Sequence, residues 1–343
     1  TAVDLWISDK SSALTQYKDV NTWDVSQITG MTDLFKDKSF NDNISDWNVS
    51  NVQGMYRMFT GSSFNKDISE WNVSKVTTMV NLFLGTSFNQ DISRWDVSSV
   101  TRMERLVYGN DDFNQDISGW DVSNVTHIFG AFRDARAFNQ DISKWDVSKV
   151  IDMSQMFYEA TSFNHSLTDW NVSNVTNMSN MFIDASSFNG DLSGWDVSKV
   201  TNMSGVFSGA SSFNQDISGW NVSNVTNMYR MFRDASSFNQ NISNWNISSL
   251  TNMGEMFKGA TSYNQDLSGW NVDNVTDMGG VFENASSFNK NISNWNITNA
   301  TNMSKMFDGT SSLSSTNKCA IHTAYKSKNP AYWAYDWSGD CSN

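Results

Sequence analysis

Residues 220–244 read WNVSNVTNMYRMFRDASSFNQNISN, and Trp245 then starts the same phrase again. Trp recurs at this place from Trp23 to Trp295, with three intervals of 24 residues followed by eight of 25. Self-similarity at a period of roughly 20–50 residues marks a repeat architecture and overrides the two or three domains that 343 residues would otherwise suggest. Nine apolar positions recur from coil to coil, here Trp220, Val222, Val225, Met228, Met231, Phe232, Ala235, Phe238 and Ile242. One coil cannot bury these side chains alone. Stacked coils can, because each becomes the lid of its neighbour.

Each coil divides in two. Val225, Met228, Met231 and Phe232 fall at helical spacing, and Thr226 stands where an N-cap would. This predicts a helix of one to two turns, α or 3-10, ended by the Asp-Ala or Gly-Ala pair. Phe238 to Ser243 is short and β-compatible and predicts the strand. The residue missing from the 24-residue coils lies between the two Phe positions, as in Phe59 to Phe64, which predicts a surface turn there. All 17 Met fall on two ladders, where a flexible thioether fills gaps between aromatic rings. An Asn follows the second Phe position, as at Asn214 and Asn239. A stacked Asn can bond backbone at a bend and its own copy in the next coil.

The fold class expected is an α/β repeat solenoid, leucine-rich-repeat-like, with about twelve coils over residues 23–312, each holding one short strand and one short helix. Residues 1–22 carry Leu5, Trp6, Ala13, Leu14 and Tyr17 at roughly helical spacing and predict an N-terminal helical cap. Residues 313–343 leave the pattern and predict a C-terminal cap. Both caps together suggest one autonomous structural domain. Cys319 and Cys341 are the only cysteines. Their clustering reads as one disulfide closing that cap, and hence an oxidising extracellular compartment; two unpaired surface thiols are the alternative.

The net charge is −13, which argues against nucleic acid and against an anionic membrane surface as partners. No run of 18 apolar residues occurs, so membrane insertion is not expected. Residues 1–22 lack the basic start and apolar middle of a signal peptide, so the chain reads as a mature protein or an excised domain.

The phrase W-D-V-S-N-V-T-N-M-S-N-M-F-x-G-A-S-S-F-N-Q-D-I-S, to which residues 20–312 conform, resembles the bacterial surface protein repeat of about 25 residues, grouped with BspA-like leucine-rich repeats. It is similar to repeats of Listeria- and mycoplasma-type surface lipoproteins. That resemblance implies a right-handed leucine-rich-repeat-like solenoid, a secreted or cell-surface location, and a role in adhesion or recognition of extracellular protein or glycan. It carries over no catalytic motif and no cofactor.

The residues themselves point the same way. None of the three His lies at metal-ligand spacing with a Cys, and no G-x-S-x-G or phosphate-binding loop occurs. A non-enzymatic protein is expected, with no metal firmly predicted. Two places break the monotony. Asp67, Asp91, Asp116 and Asp141 stand before the inward Ile of successive coils. Such a row can draw Ca²⁺ or a basic or hydroxyl-rich ligand; the preferred reading is that each Asp accepts N–H bonds at a bend, because Asn43, Asn241 and Asn291 fill the same place. The second is Arg102, Arg105, Tyr108, His127, Arg133, Arg136 and Tyr158, among which Arg102 and His127 share one place in successive coils and Tyr108, Arg133 and Tyr158 another. Arg and Tyr are residue types that dominate interfaces, so this patch is the expected binding spot, against drift on a solvated face. Two other functions stay open: self-association into a surface coat or filament, and a Ca-dependent carbohydrate-binding module of a larger adhesin.

Overall fold

The apolar phrase dictates stacking, and stacking is what the computed structural model shows over residues 1–341. Two compact units form, Thr1–His165 and the chain from Ser166 onward.

Inside each unit the coil differs from the expected strand-plus-helix. Among the described residues the repeats hold neither α-helix nor strand of more than one bridge. In the first unit coils meet through isolated parallel bridges running Gly30, Gly54, Thr78, Arg102, His127 and Asp152; in the second the line runs from Asn177 through Asn227 to Asn302. These bridges open the stretch predicted to be helical. There every second N–H reaches the next coil: Met228 to Asn252 O at 2.9 Å, Arg230 to Gly254 O at 3.0 Å, and Phe232 to Met256 O at 2.9 Å. Intervening N–H groups close tight turns onto the third residue back, as Met231 to Met228 O at 3.1 Å and Arg233 to Arg230 O at 3.1 Å.

Two residues per coil with positive φ explain why no helix forms. Arg230 (φ 60°) and Asp234 (φ 57°) stand four apart, and Arg57 (54°) and Gly61 (63°) do the same in the first unit. A right-handed helix cannot pass through such residues. The Asp-Ala or Gly-Ala pair is therefore one of two recurring left-handed positions, held by Asp, Gly, Asn or, at 159, Glu. From Asp184 to Gly309 a Gly follows each Asp or Asn there, for a spatial reason. A Cβ on Gly209, Gly259 or Gly309 would meet the side-chain oxygen of Asp184, Asp234 or Asn284 in the preceding coil.

The predicted strand, Phe238 to Ser243, carries no bridge and is held by side chains instead. Asn239 N–H donates to the Asn214 side-chain oxygen at 2.9 Å, as Asn65 does to Asn41 at 2.9 Å. Beside this line, Trp rings stack in parallel, with Trp47 and Trp71 at 6.5 Å and 1° and Trp220 and Trp245 at 6.4 Å and 1°. Indole N–H groups donate to the carbonyl before the previous coil's Ser, as Trp71 does to Ile44 at 3.2 Å and Trp220 to Leu192 at 3.1 Å, whereas Trp23 of the first coil has a buried indole N–H with no partner. Phe59 lies on Phe83 at 5.6 Å and Phe207 on Phe232 at 5.7 Å. The Phe and Met ladders are buried, and each unit has this aromatic stack as its core.

The ends continue the bonding with substitutes. The expected N-terminal helix is two, α1 (Ala2–Ser8) and α2 (Lys10–Tyr17), because the Asp9 side chain accepts Ser12 N–H at 3.0 Å and restarts the helix. Val20 supplies the carbonyl that receives the Trp47 indole at 2.7 Å. At the other end α3 (Ser315–Lys328) follows the last coil. Tyr325 donates its hydroxyl to Ile292 O at 2.8 Å, where a further Trp would have donated. Ser314 N–H and the Asn317 amide occupy the Asn289 side-chain oxygen at 3.0 and 2.8 Å. Cys319 and Cys341 form the disulfide, with Cα atoms 4.8 Å apart, and Phe307 packs edge-on against Trp333 and Tyr335.

Candidate functional site

The turns that carry the bridges face solvent with every residue that does not point inward, and there the coils differ. Of the eight arginines only Arg94 lies outside the stretches equivalent to 227–236. Every Tyr outside the core and the caps lies there too, namely Tyr56, Tyr108, Tyr158 and Tyr229. Backbone repetition places equivalent positions one above another, so unlike side chains on neighbouring coils come into contact.

In the first unit this brings the predicted patch together. The Arg133 guanidinium lies over Tyr108 at 4.9 Å and over Tyr158 at 4.3 Å, clasped between coils. Contacts of this kind contribute about 0.5–2 kcal/mol each. Arg133 also donates to Gln155 and to Asp134. Burial, then the neighbouring Glu159 charge, raises the Asp134 carboxyl above its ordinary range. Arg136 bridges Asp111 at 2.7 Å and Glu159, and Arg102 holds Glu104 at 2.6 Å. Hydrogen bonding to these carboxylates raises both guanidinium pKa values. His127 Nδ1 lies 2.8 Å from the Thr126 hydroxyl. Arg105 is exposed at a left-handed position (φ 53°), stacks on Phe129 at 4.8 Å, and makes no ion pair among the described residues. The patch is thus one fixed constellation with a single uncommitted guanidinium.

The acidic row is spoken for locally. Asp67, Asp91, Asp116 and Asp141 each accept the N–H of the Ser two residues on, at 2.9, 2.8, 3.0 and 3.0 Å. Bonds from that Ser backbone and hydroxyl hold each carboxyl below its ordinary range. Asn43, Asn241 and Asn291 make the same bond at 3.0 Å. Among the described residues no three His, Cys, Asp or Glu side chains gather as a metal-ligand group.

A second constellation, in the second unit, went unread in the sequence. Arg230 lies over Tyr229 at 4.6 Å and donates to Glu255 at 2.7 Å; Arg233 reaches Glu255 at 3.4 Å, and Lys258 pairs with Glu283 at 2.9 Å. Burial raises the Glu255 pKa, and the Arg230 bond outweighs it, leaving the group below its ordinary range. Its signal was available, since Arg230 stands at the coil position of Arg105 and Arg233 at that of Arg133. Beside it lies a hollow of about 170 Å³. A further hollow of about 400 Å³ is lined by Asp266, Ser268 and Asn291 of the common coil phrase together with Asn317 of α3.

No curated protein matches the chain. Two solved structures are similar at 10% identity or less. One is the crystal structure of a TLR13–ssRNA13 complex, with 10% identity and a TM-score of 0.23 over 77% of this chain and 46% of that one. The other is an LRR protein of Leptospira interrogans, with 8% identity and a TM-score of 0.20 over 95% and 98% of the two chains. This chain spans less than half the length of the first, and likeness at these scores carries no argument about activity. One family is matched over residues 7–98, 84–193, 164–253 and 240–330, four overlapping copies that take in nearly all of the repeat. The chain therefore belongs to the repeat family described as Mycoplasma protein of unknown function, DUF285.

Proposed function

We propose that the protein is a non-enzymatic recognition scaffold, secreted or cell-surface, of the BspA-like leucine-rich-repeat type, which adheres to extracellular protein or glycan through its bridge-bearing turns. One observation carries this reading: seven of eight arginines and all four solvent-side coil tyrosines sit on those turns, while the interior repeats with little change. Stability asks only for the interior. A purely structural array has no use for aromatic and guanidinium side chains gathered at one place in the coil, whereas an interface has.

In the first unit Arg105 is the contact residue and Arg133, clasped by Tyr108 and Tyr158, is the rigid floor. The test is a glycan and peptide array probed with the wild-type chain and with a double variant, Arg105→Ala with Arg133→Ala. Hits lost by the variant at unchanged melting temperature support the reading. Hits retained in full overturn the assignment of the first-unit patch, and no hits at all overturn the recognition scaffold.

A further inference from the structure

The second unit carries a hollow on the same turns, and its making separates it from the rest of the array. At the coil position of Tyr229 the unit holds Ser179, Ser204, Tyr229, Gly254, Gly279 and Ser304. Most coil glycines on the turns stand at left-handed positions, Gly205, Gly259, Gly280 and Gly309 among them. Gly254 and Gly279 do not; their backbone is one that any residue adopts. In the first unit the equivalent position holds Thr32, Tyr56, Val80, Glu104, Phe129 and Ser154, and no glycine. These two neighbouring glycines make room for polar side chains of the next coil, since a Cβ on Gly254 would lie 3.1 Å from the Asp277 carboxylate and one on Gly279 would collide with the Asn302 amide, and those groups floor a space of about 170 Å³ between Tyr229 and Ser304.

The chemistry of that space selects its ligand. Glu255 and Glu283 line it, but each is already matched by Arg or Lys. Asp277 accepts the Gly279 N–H at 3.0 Å and the Asn302 amide at 2.8 Å. Neutralised carboxylates offer little to a metal ion, yet they keep free lone pairs for hydroxyl donors. Lys305 adds a donor, as does the second hydrogen of the Asn302 amide, while the Ser304 hydroxyl is spent on the Asn302 side-chain oxygen at 2.8 Å. Tyr229 is the one aromatic wall, and no aliphatic side chain lines the hollow, so an apolar side chain of a protein partner gains nothing there. The volume is below the roughly 300–1,000 Å³ of sites that take drug-sized ligands.

We infer that this hollow is a saccharide subsite, taking a single neutral pyranose ring of a glycan. It rests on the reading that the bridge-bearing turns are the recognition surface, and it names one ligand class for them.

The test is a titration of the full chain with neutral methyl pyranosides and their disaccharides, followed by calorimetry and by NMR. Binding of at least one is expected, with Kd on the order of 1 mM, as a single polar ring allows. Gly254→Tyr with Gly279→Tyr refills the position with a residue type that it already holds at Tyr56 and Tyr229, and is expected to weaken binding roughly tenfold or more. Asn302→Ala removes an exposed amide without filling the space, and is expected to act in the same direction. Arg105→Ala with Arg133→Ala leaves this binding unchanged. No binding up to about 50 mM, or binding indifferent to both the glycine and the Asn302 substitutions, overturns the subsite. Array hits that vanish with the arginine variant while no pyranoside binds would remove the subsite and leave the recognition scaffold standing.

Discussion

The indole N–H of Trp245 donates to the carbonyl of Ile217, 28 residues earlier, at 3.2 Å in a buried setting. Each coil is thus tied to its predecessor by a side-chain donor on a backbone acceptor. Trp245→Phe keeps a ring in the stack and deletes the donor, leaving a buried carbonyl without its partner. A loss of about 1–3 kcal/mol is expected, read as a lower urea midpoint at unchanged slope. No loss would mean that the bond adds nothing beyond ring packing.

Tyr263 stands in the second Phe ladder, fully buried, and its hydroxyl has no hydrogen-bond partner. Burial pushes its pKa well above the usual phenol value. Tyr263→Phe removes an unsatisfied polar atom and keeps the ring that lies 5.8 Å from Phe238. Stabilisation of about 1 kcal/mol is expected, and calorimetry should show a rise in Tm. A fall would show that the hydroxyl finds a partner in solution.

Two glycines five residues apart should answer unequally to alanine. Gly259 has φ 70° and faces Asp234 of the preceding coil, so Gly259→Ala is expected to cost about 1–2 kcal/mol. Gly254 has ordinary backbone, and its added methyl would meet only the Asp277 carboxylate end, at 3.1 Å. Gly254→Ala is expected to change stability by less than about 0.5 kcal/mol. Equal effects from chemical denaturation would refute the assignment of the left-handed position.

Acid should weaken the coil bends. The carboxyls of Asp67, Asp91, Asp116 and Asp141 are held below their ordinary range by Ser N–H and hydroxyl bonds. A depressed folded-state pKa contributes stability that is present above the unfolded value, near about 3.9, and is lost as pH falls through the folded one. Melting temperature should therefore hold from neutrality to about pH 4 and decline below it. Replacing all four by Asn, which makes the same bond at Asn43 and Asn241, should flatten that decline.

Sequence reading recovered what burial controls. Trp, Phe and Met positions repeat because each must meet its own copy, and the Asn ladder followed from the same stacking. Backbone conformation was harder to read. Val225, Met228 and Met231 are spaced by threes, which suits a helix face and equally suits consecutive three-residue turns. Asp234 and its Gly259 counterpart hold the deciding information, since alternation of Asp with Gly at one position signals positive φ, not a helix end. Register put Tyr108, Arg133 and Tyr158 at one position, and they do stack. The ion pairs of Arg102 with Glu104 and of Arg136 with Glu159 depend on side-chain reach, which spacing alone does not give.

Tyr325, Ser314 and Asn317 spend their donors on Ile292 and Asn289. The side-chain ladders are vectorial, because indole and amide hydrogens from each coil fall on oxygens of the one before. Stripped of α3, the last coil would present bare acceptors that match the donors on the opposite edge of any other coil. Such a fragment would be sticky at one pole, and only a copy stripped of α1 and α2 as well could grow head to tail. The terminal helices are in this sense chain-stoppers, and removal of both ends should turn a discrete particle into a polymer.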